Sequence, residues 1–229
     1  MALLGNAAML LWFDITPEAI AELDDWLTRE HFAERVAIPG FICAQRWVAQ
    51  APGPRNFIVY EVADLDVLSS AAYRDRLDHP TPWTVRMMPN FRGMARGFMN
   101  FQSRHGQILG TSALVVRFSA APVREQHLQD WLDDDLIPDA LGRQGVTSAH
   151  VMTSGRAPEM TVEQSIRGSD ARVDRVLLLT GYNAERLHEL LATRAAAASF
   201  EAHGASPQAQ SGVYALGCIA DKARIETAA

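Results

Sequence analysis

The sequence predicts an α+β fold of two tandem ferredoxin-like βαββαβ modules whose sheets pack face to face. Three observations predict it. First, the chain repeats itself at a constant offset of 105 residues: Pro17, Asp25-Trp26-Leu27, Glu30 and Gly40 return as Pro122, Asp130-Trp131-Leu132, Asp135 and Gly145. A repeat decides architecture before any single element does. Second, each copy reads strand, helix, strand, strand, helix, strand, which is the split βαβ order. Third, Ala8 to Phe13 and Val176 to Leu179 are apolar at every position. A sheet with one solvated face alternates instead, so both faces of these strands must be covered.

The first copy opens with an apolar run of strand length, Ala8 to Ile15. Thr16 is placed to cap a helix that begins at Pro17, with Glu18 favourable in its first turn. That helix is expected to run to about Phe32, with Ile20, Leu23, Trp26, Leu27 and Glu30 or His31 on one broad face. Pro39-Gly40 makes a turn into a second strand, Phe41 to Val48. After the Ala51-Pro52-Gly53-Pro54 loop, Asn56 to Val62 is a third strand rich in β-formers. Asp66 to Leu77 reads as a second helix. The segment His79-Pro80-Thr81-Pro82-Trp83 breaks it, and Gly97 to Gln102 forms the fourth strand.

The second copy repeats this order: strand Ser112 to Phe118, helix Pro122 to Leu136, strands Val146 to Thr153 and Val173 to Gly181, helix Ala184 to Ala202, strand Gly212 to Ala220. Between its middle strands lies an insertion, roughly Gly155 to Arg172, whose composition suggests an exposed loop. Lys222 to Ala229 is expected to be a frayed tail. The module boundaries fall at 1–109 and 110–229, with the site expected in the first.

Composition narrows the function. The chain has 229 residues, 48% hydrophobic and 21% charged, as a globular protein with a real core has. Its net charge of −6 and its lack of a basic block argue against nucleic acid. The start of the chain is a poor signal peptide and too short for a membrane span, so a cytoplasmic location is expected. Cys43 and Cys218 sit in apolar runs and are expected as buried free thiols. The seven histidines show no His-x-x-x-His spacing and no Cys-x-x-Cys occurs, so no metal site is predicted. Phosphate-binding glycine motifs and a Gly-x-Ser-x-Gly elbow are also missing from the sequence.

Trp26-Leu27-Thr28-Arg29-Glu30-His31-Phe32, Ile38-Pro39-Gly40-Phe41 and Tyr60-Glu61 together resemble the dimeric α+β-barrel superfamily, and within it the EthD-like proteins. The resemblance implies that the two modules close an intramolecular dimeric α+β barrel, and that the chain is a small-molecule protein. Superfamily members include cofactor-free monooxygenases, lactone isomerases, polyketide cyclases and haem-binding enzymes, and fold alone does not choose among them. In the second copy Leu136 stands where the first has His31, so the motif-level resemblance is carried by the first copy.

The residues themselves nominate candidates. Glu30, near the middle of an apolar helix face, is an expensive charge unless partnered. His31 beside it is a candidate acid/base, with Glu30 its orienting partner. The competing reading of the acid is structural, because Asp135 repeats it without the histidine. Tyr60 can supply a hydroxyl, while Trp12, Trp47 and Trp83 can line an apolar pocket or simply fill the core. Trp26 and Trp131 match in register, so packing explains both. Arg86, near the Pro80-Thr81-Pro82-Trp83 segment, can pair an anionic substrate group; the alternative is a stiff connection with a tryptophan lid. Asn100 and His105 are weaker candidates.

The reading that follows is a cofactor-independent isomerase, cyclase or lyase, or a monooxygenase-type enzyme, acting on a small apolar or aromatic metabolite by His31-mediated proton transfer. The alternatives are a non-catalytic ligand-binding or accessory protein, and a haem enzyme with an axial His31, His150 or His188. A homodimer of the whole chain is a further expectation.

Overall fold

The computed structural model describes residues 2–50, 53–156, 166 and 170–223. Its strands are β1 (Ala7–Ile15), β2 (Phe41–Ala49), β3 (Asn56–Val62), β4 (Phe91–His105), β5 (Ser112–Phe118), β6 (Val146–Ser154), β7 (Ala171–Arg172), β8 (Arg175–Gly181) and β9 (Gln210–Asp221). Around the sheet the order is β1-β3-β2-β9-β5-β8-β6-β4, and β4 pairs back onto β1, so eight strands close a barrel. The two-residue β7 lies outside the ring, parallel to β4. The arcs β4-β1-β3-β2 and β9-β5-β8-β6 each read fourth, first, third, second. They join at the antiparallel pairs β2–β9 and β4–β6.

Closure replaces face-to-face sheets with a continuous wall. Strand alternation then sends side chains either into the barrel or out to the helices. Leu10 and Trp12 of β1, Trp47 of β2, Phe57 and Val59 of β3, and Tyr214 of β9 point inward and form one buried cluster. Met9, Leu11 and Phe13 of β1 point outward beneath the first-half helices. Leu177 and Leu179 of β8 do the same in the second half. This explains the unbroken apolar runs, since both faces of β1 and β8 are covered.

The first helical stretch is longer than the periodicity suggests. It comprises a 3-10 turn (Pro17–Ala19), α1 (Ile20–Trp26), a π-helical turn (Leu27–His31) and α2 (Phe32–Val36). Thr16 makes no side-chain cap; its hydroxyl bonds Asn90 Oδ1 at 3.1 Å. The second half repeats the pattern with α5 (Glu125–Trp131), a π turn (Leu132–Leu136) and α6 (Ile137–Gly142). Both stretches end in a glycine with positive φ, 90° at Gly40 and 98° at Gly145. A Cβ there would stand 2.4 Å from Val67 and 2.6 Å from Asn183, so conformation and space both demand glycine.

Other expected elements change length. The second helix of the first half is a 3-10 turn (Leu65–Ser69) followed by α3 (Ala71–Asp78), because Ser70 turns extended and caps α3 at Tyr73 N. Thr81 and Pro82, expected only to break the chain, start α4 (Pro82–Met87): the Thr81 hydroxyl accepts from Thr84 N at 3.0 Å. The expected helix Ala184 to Ala202 is two, α7 (Ala184–Thr193) and α8 (Ala197–His203). β4 reaches 15 residues, enough to serve both β1 and β6. Most of the 155–172 insertion, and the tail beyond 223, fall outside the described residues. Cys43 is buried, but Cys218 is only half-buried.

One end of the barrel interior is polar. Glu61 Oε2 accepts from the backbone N–H of Leu4 and of Gly5, the latter at 2.9 Å. Its Oε1 accepts from Gln45 Nε2 at 2.7 Å, and Trp47 Nε1 donates to Gln45 Oε1 at 3.1 Å. The thiol of Cys43 donates to the same carboxylate, and burial together with Glu61 pushes its pKa up to about 12. His150 occupies the inward position of β6 that repeats Gln45. It is fully buried, and neither ring nitrogen has a hydrogen-bond partner within the described residues.

Burial, with Arg104 opposite it on β4 and His105 beside that, pushes His150 down to about 4. The unfolded chain therefore binds the proton first as pH falls through 6.5, and stability is lost from there down towards pH 4. The expected loss at pH 5 is about 2 kcal/mol. His150→Gln should flatten this dependence, measured as the difference in urea-unfolding free energy between pH 7.5 and pH 5.

Candidate functional site

A cavity lies between the first-half helices and the outward face of β1, β3 and β4. Its wall includes Trp26, His31, Arg35, Tyr60, Tyr73 and Arg96. The helix positions them. Leu27, His31 and Arg35 recur every four residues and all three are buried. In a regular α-helix residues five apart stand about 140° apart around the axis. The π turn, closed by Phe32 N bonding Leu27 O, rewinds that offset and lays His31 on Trp26. The two rings lie 4.0 Å apart at 31°.

β3 contributes Tyr60 from its outward row, its ring 6.3 Å from His31 at 71°. Phe32 and Phe41 hold Tyr60 edge-on, at 5.8 and 6.0 Å. Tyr73 of α3 turns its hydroxyl to Met9 Sδ at 3.4 Å. Arg96 of β4 pairs with Asp170 at 2.8 Å and lies over the Phe98 ring at 4.9 Å. The indole N–H of buried Trp26 has no hydrogen-bond partner within the described residues. The wall is thus apolar, with a histidine, two phenols and two guanidinium groups set into it. Chemically it suits a planar apolar molecule that gains negative charge, with His31 in reach of a proton and the cations able to hold the resulting anion. The free volume is about 30 Å³, room for a few waters at most. A larger ligand must displace side chains of the wall.

The sequence-nominated residues divide sharply. His31 and Tyr60 meet at the cavity. Glu30 does not partner His31: its carboxylate accepts from Thr81 Oγ1 at 2.7 Å. Asp135, its repeat equivalent, pairs with Arg194 at 2.6 Å. Both acids therefore tie the π turn to the segment that leads into the last helix of their half. Trp83 and Arg86 form part of the same fastening. Trp83 Nε1 donates to Glu22 Oε1 at 3.0 Å, and Arg86 bonds that carboxylate at 2.9 to 3.0 Å. Trp12 and Trp47 face the barrel interior, across the sheet from His31. Asn100 and His105 are exposed.

Arg35, Tyr73 and Arg96 are the cavity residues that sequence reading missed. Ending the first helix at Phe32 hid Arg35, although its spacing from Leu27 and His31 is the signal that finds it. Tyr73 followed from no pattern, because its place depends on how α3 crosses the sheet. In the second half the histidine is replaced by Leu136, yet Trp131 is still stacked, by His203 of α8 at 4.2 Å and 7°. Phe200 presses edge-on against Trp131 at 5.1 Å, filling space beside that ring with an aromatic side chain.

Among the described residues no three His, Cys, Asp or Glu side chains group as metal ligands, and no helix is long and apolar enough to cross a membrane. As it stands, the His31 cavity has no room for a porphyrin.

No family model matches the chain, and no curated protein is similar to it in sequence. Solved structures are similar in fold. An anthrone oxidase-like protein superposes with a TM-score of 0.70 at 11% identity, over 96% of this chain and 95% of that one. The chain has the fold of the ferredoxin-like dimeric α+β-barrel proteins. A candidate monooxygenase of Fusobacterium nucleatum gives 0.57 at 10% identity, over 96% of both chains. Chlorite dismutase of Candidatus Nitrospira defluvii gives 0.53 at 10%, over 91% of this chain and 90% of that one. At these identities the likeness carries the barrel and its helices, and no activity.

Thr81 both caps α4 and bonds Glu30, so Thr81→Val should destabilise the protein by about 1–2 kcal/mol. Thr81→Ser should restore most of that loss, both read from urea unfolding at neutral pH.

Proposed function

We propose that the chain is a cofactor-independent enzyme that moves a proton on a small, flat, enolisable aromatic substrate in the first-half cavity. The observation that carries this reading is the buried His31, its ring tilted against Trp26 in an apolar cavity that also holds Tyr60, Arg35 and Arg96. In this reading His31 takes the proton from carbon. Tyr60 and the two arginines stabilise the enolate that forms, in a site where low polarity strengthens each interaction. Isomerisation, cyclisation and lyase cleavage share that first step, and so does a monooxygenase-type reaction of an enolate with dioxygen. Glu30 has no part in it; its role here is to hold α4.

The same proposal takes the chain as two tandem modules, 1–109 and 110–229, EthD-like in the first, with one active cavity. The matching strand order of the two arcs and the paired π turns support the duplication. His31 against Leu136 supports the asymmetry.

Anthrone is a suitable probe, being flat, aromatic and enolisable, and one fold neighbour is an anthrone oxidase-like protein. The test is exchange of its methylene hydrogens for deuterium in D₂O without dioxygen, followed by NMR. Wild type should accelerate exchange, and His31→Ala should lose about 100-fold or more of that acceleration with its melting temperature kept. Arg35→Gln should lower it by about tenfold or more. Equal exchange by His31→Ala and wild type would overturn the assignment. Saturable anthrone binding with no exchange would instead make the chain a binding protein.

A further inference from the structure

We propose that the mouth of the barrel, on the other side of the sheet from His31, is a second small-molecule site that takes a planar aromatic carboxylate. A cavity of about 430 Å³ opens there between Trp12, Arg117 and Tyr214, and an adjoining one of about 360 Å³ shares Pro54, Arg117 and Gln210 with it. Each lies in the range of small-molecule pockets, and barrel mouths are among the places where such pockets form. Neither shares a residue with the His31 cavity.

The lining states the ligand chemistry. Trp12 stacks on Phe57 with centroids 4.8 Å apart at 13°, and Tyr214 meets the same Phe57 at 5.5 Å. All three rings are buried, and Trp12 and Tyr214 form an apolar floor to the pocket. Arg117 supplies the charge. It is the third inward position of β5, after Ala113 and Val115, and it reaches across the barrel to lie 4.8 Å over Trp12. Its hydrogen-bond partner is the neutral amide oxygen of Gln210.

Among the described residues no carboxylate pairs with Arg117. Asp174 is engaged by Ser119 at 2.6 Å and by Arg172 at 3.3 Å, and Asp14 accepts the N–H of Arg55 at 2.7 Å. A partly desolvated guanidinium that faces only an amide and an indole is a costly arrangement, which an incoming carboxylate offsets. Tyr214 adds a hydroxyl that stays protonated, since burial pushes its pKa up to about 12. Trp12 and Arg117 also occupy equivalent positions of the 105-residue repeat. The pocket therefore sets an aromatic from one half against a cation from the other, a pairing that two identical copies would not make.

Naphthoate is the probe, with naphthamide as its uncharged isostere, measured by calorimetry and by quenching of tryptophan fluorescence. Wild type should bind naphthoate at least about tenfold more tightly than naphthamide, and Arg117→Gln should remove that preference. Tyr214→Phe should weaken binding less, and Arg35→Gln should leave it unchanged. Arg117→Gln should also keep the His31-dependent exchange of anthrone, so failure here is distinct from failure of the proposed enzyme activity. If Arg117→Gln fails to fold, Gln210→Ala and loss of quenching in Trp12→Phe locate the ligand instead. No saturable binding in the millimolar range overturns the site. Binding that survives Arg117→Gln but is lost in Arg35→Gln places the acid in the helix–sheet cavity, and overturns it too.

Discussion

Closure of the sheet is the constraint on which the rest depends. Each four-strand arc by itself would end in two open edges, and open edges invite pairing with other chains. Here β2 is covered by β9 and β4 by β6, so the edges of one arc are satisfied by those of the other. The helices then have only the outer wall to pack on, and the barrel interior must be filled by alternate side chains alone. Trp12, Trp47, Phe57 and Tyr214 fill much of it from the first arc and β9. At roughly 1.5–3 kcal/mol for each large apolar side chain fully buried, such a cluster outweighs any single surface ion pair.

Closure also divides the chemistry. A residue's place one position earlier or later on a strand puts it in the barrel or under a helix. Tyr60 and Glu61 are neighbours in sequence, yet Tyr60 lines the His31 cavity while Glu61 anchors Leu4 and Gly5 at the polar end of the barrel. Met9 and Leu11 lie under the helices, and Leu10 and Trp12 lie inside. The first half therefore owns an outer cavity, and the interior belongs to both halves.

Much of this was legible in the residues. The constant offset between Trp26 and Trp131, and between Gly40 and Gly145, pointed to the same run of strands and helices along both halves, because core positions and turn glycines are set by local geometry. The aromatic candidates were legible as types but not as a group. Trp12, Trp47 and Tyr60 look alike in a sequence where both faces of a strand are apolar, and only the register of a closed sheet sorts them. Glu30 misled for a different reason. An acid beside a histidine suggests a pair, but consecutive helix residues point in different directions, and Thr81 lies 51 residues away where no local pattern reaches. The π turn was invisible too, since it changes which residues share a face without changing the residues.

The asymmetry between the halves follows from small changes on a shared frame. The acids Glu30 and Asp135 both secure the segment before the last helix, although one uses a hydroxyl and the other an arginine. An exposed ion pair such as Asp135 with Arg194 contributes little, at most about 1 kcal/mol, while Phe200 packs that helix firmly against Trp131. In the first half the corresponding helix, α4, packs on the core through Met87 and Trp83, and polar contacts through Glu22 and Glu30 add to that packing. Contacts of that kind break and reform in water at little net cost, whereas withdrawing a buried phenylalanine exposes its whole ring. The half with the histidine thus fastens its last helix by hydrogen bonds as well as by the buried Met87, and the half without it does so by setting Phe200 against Trp131.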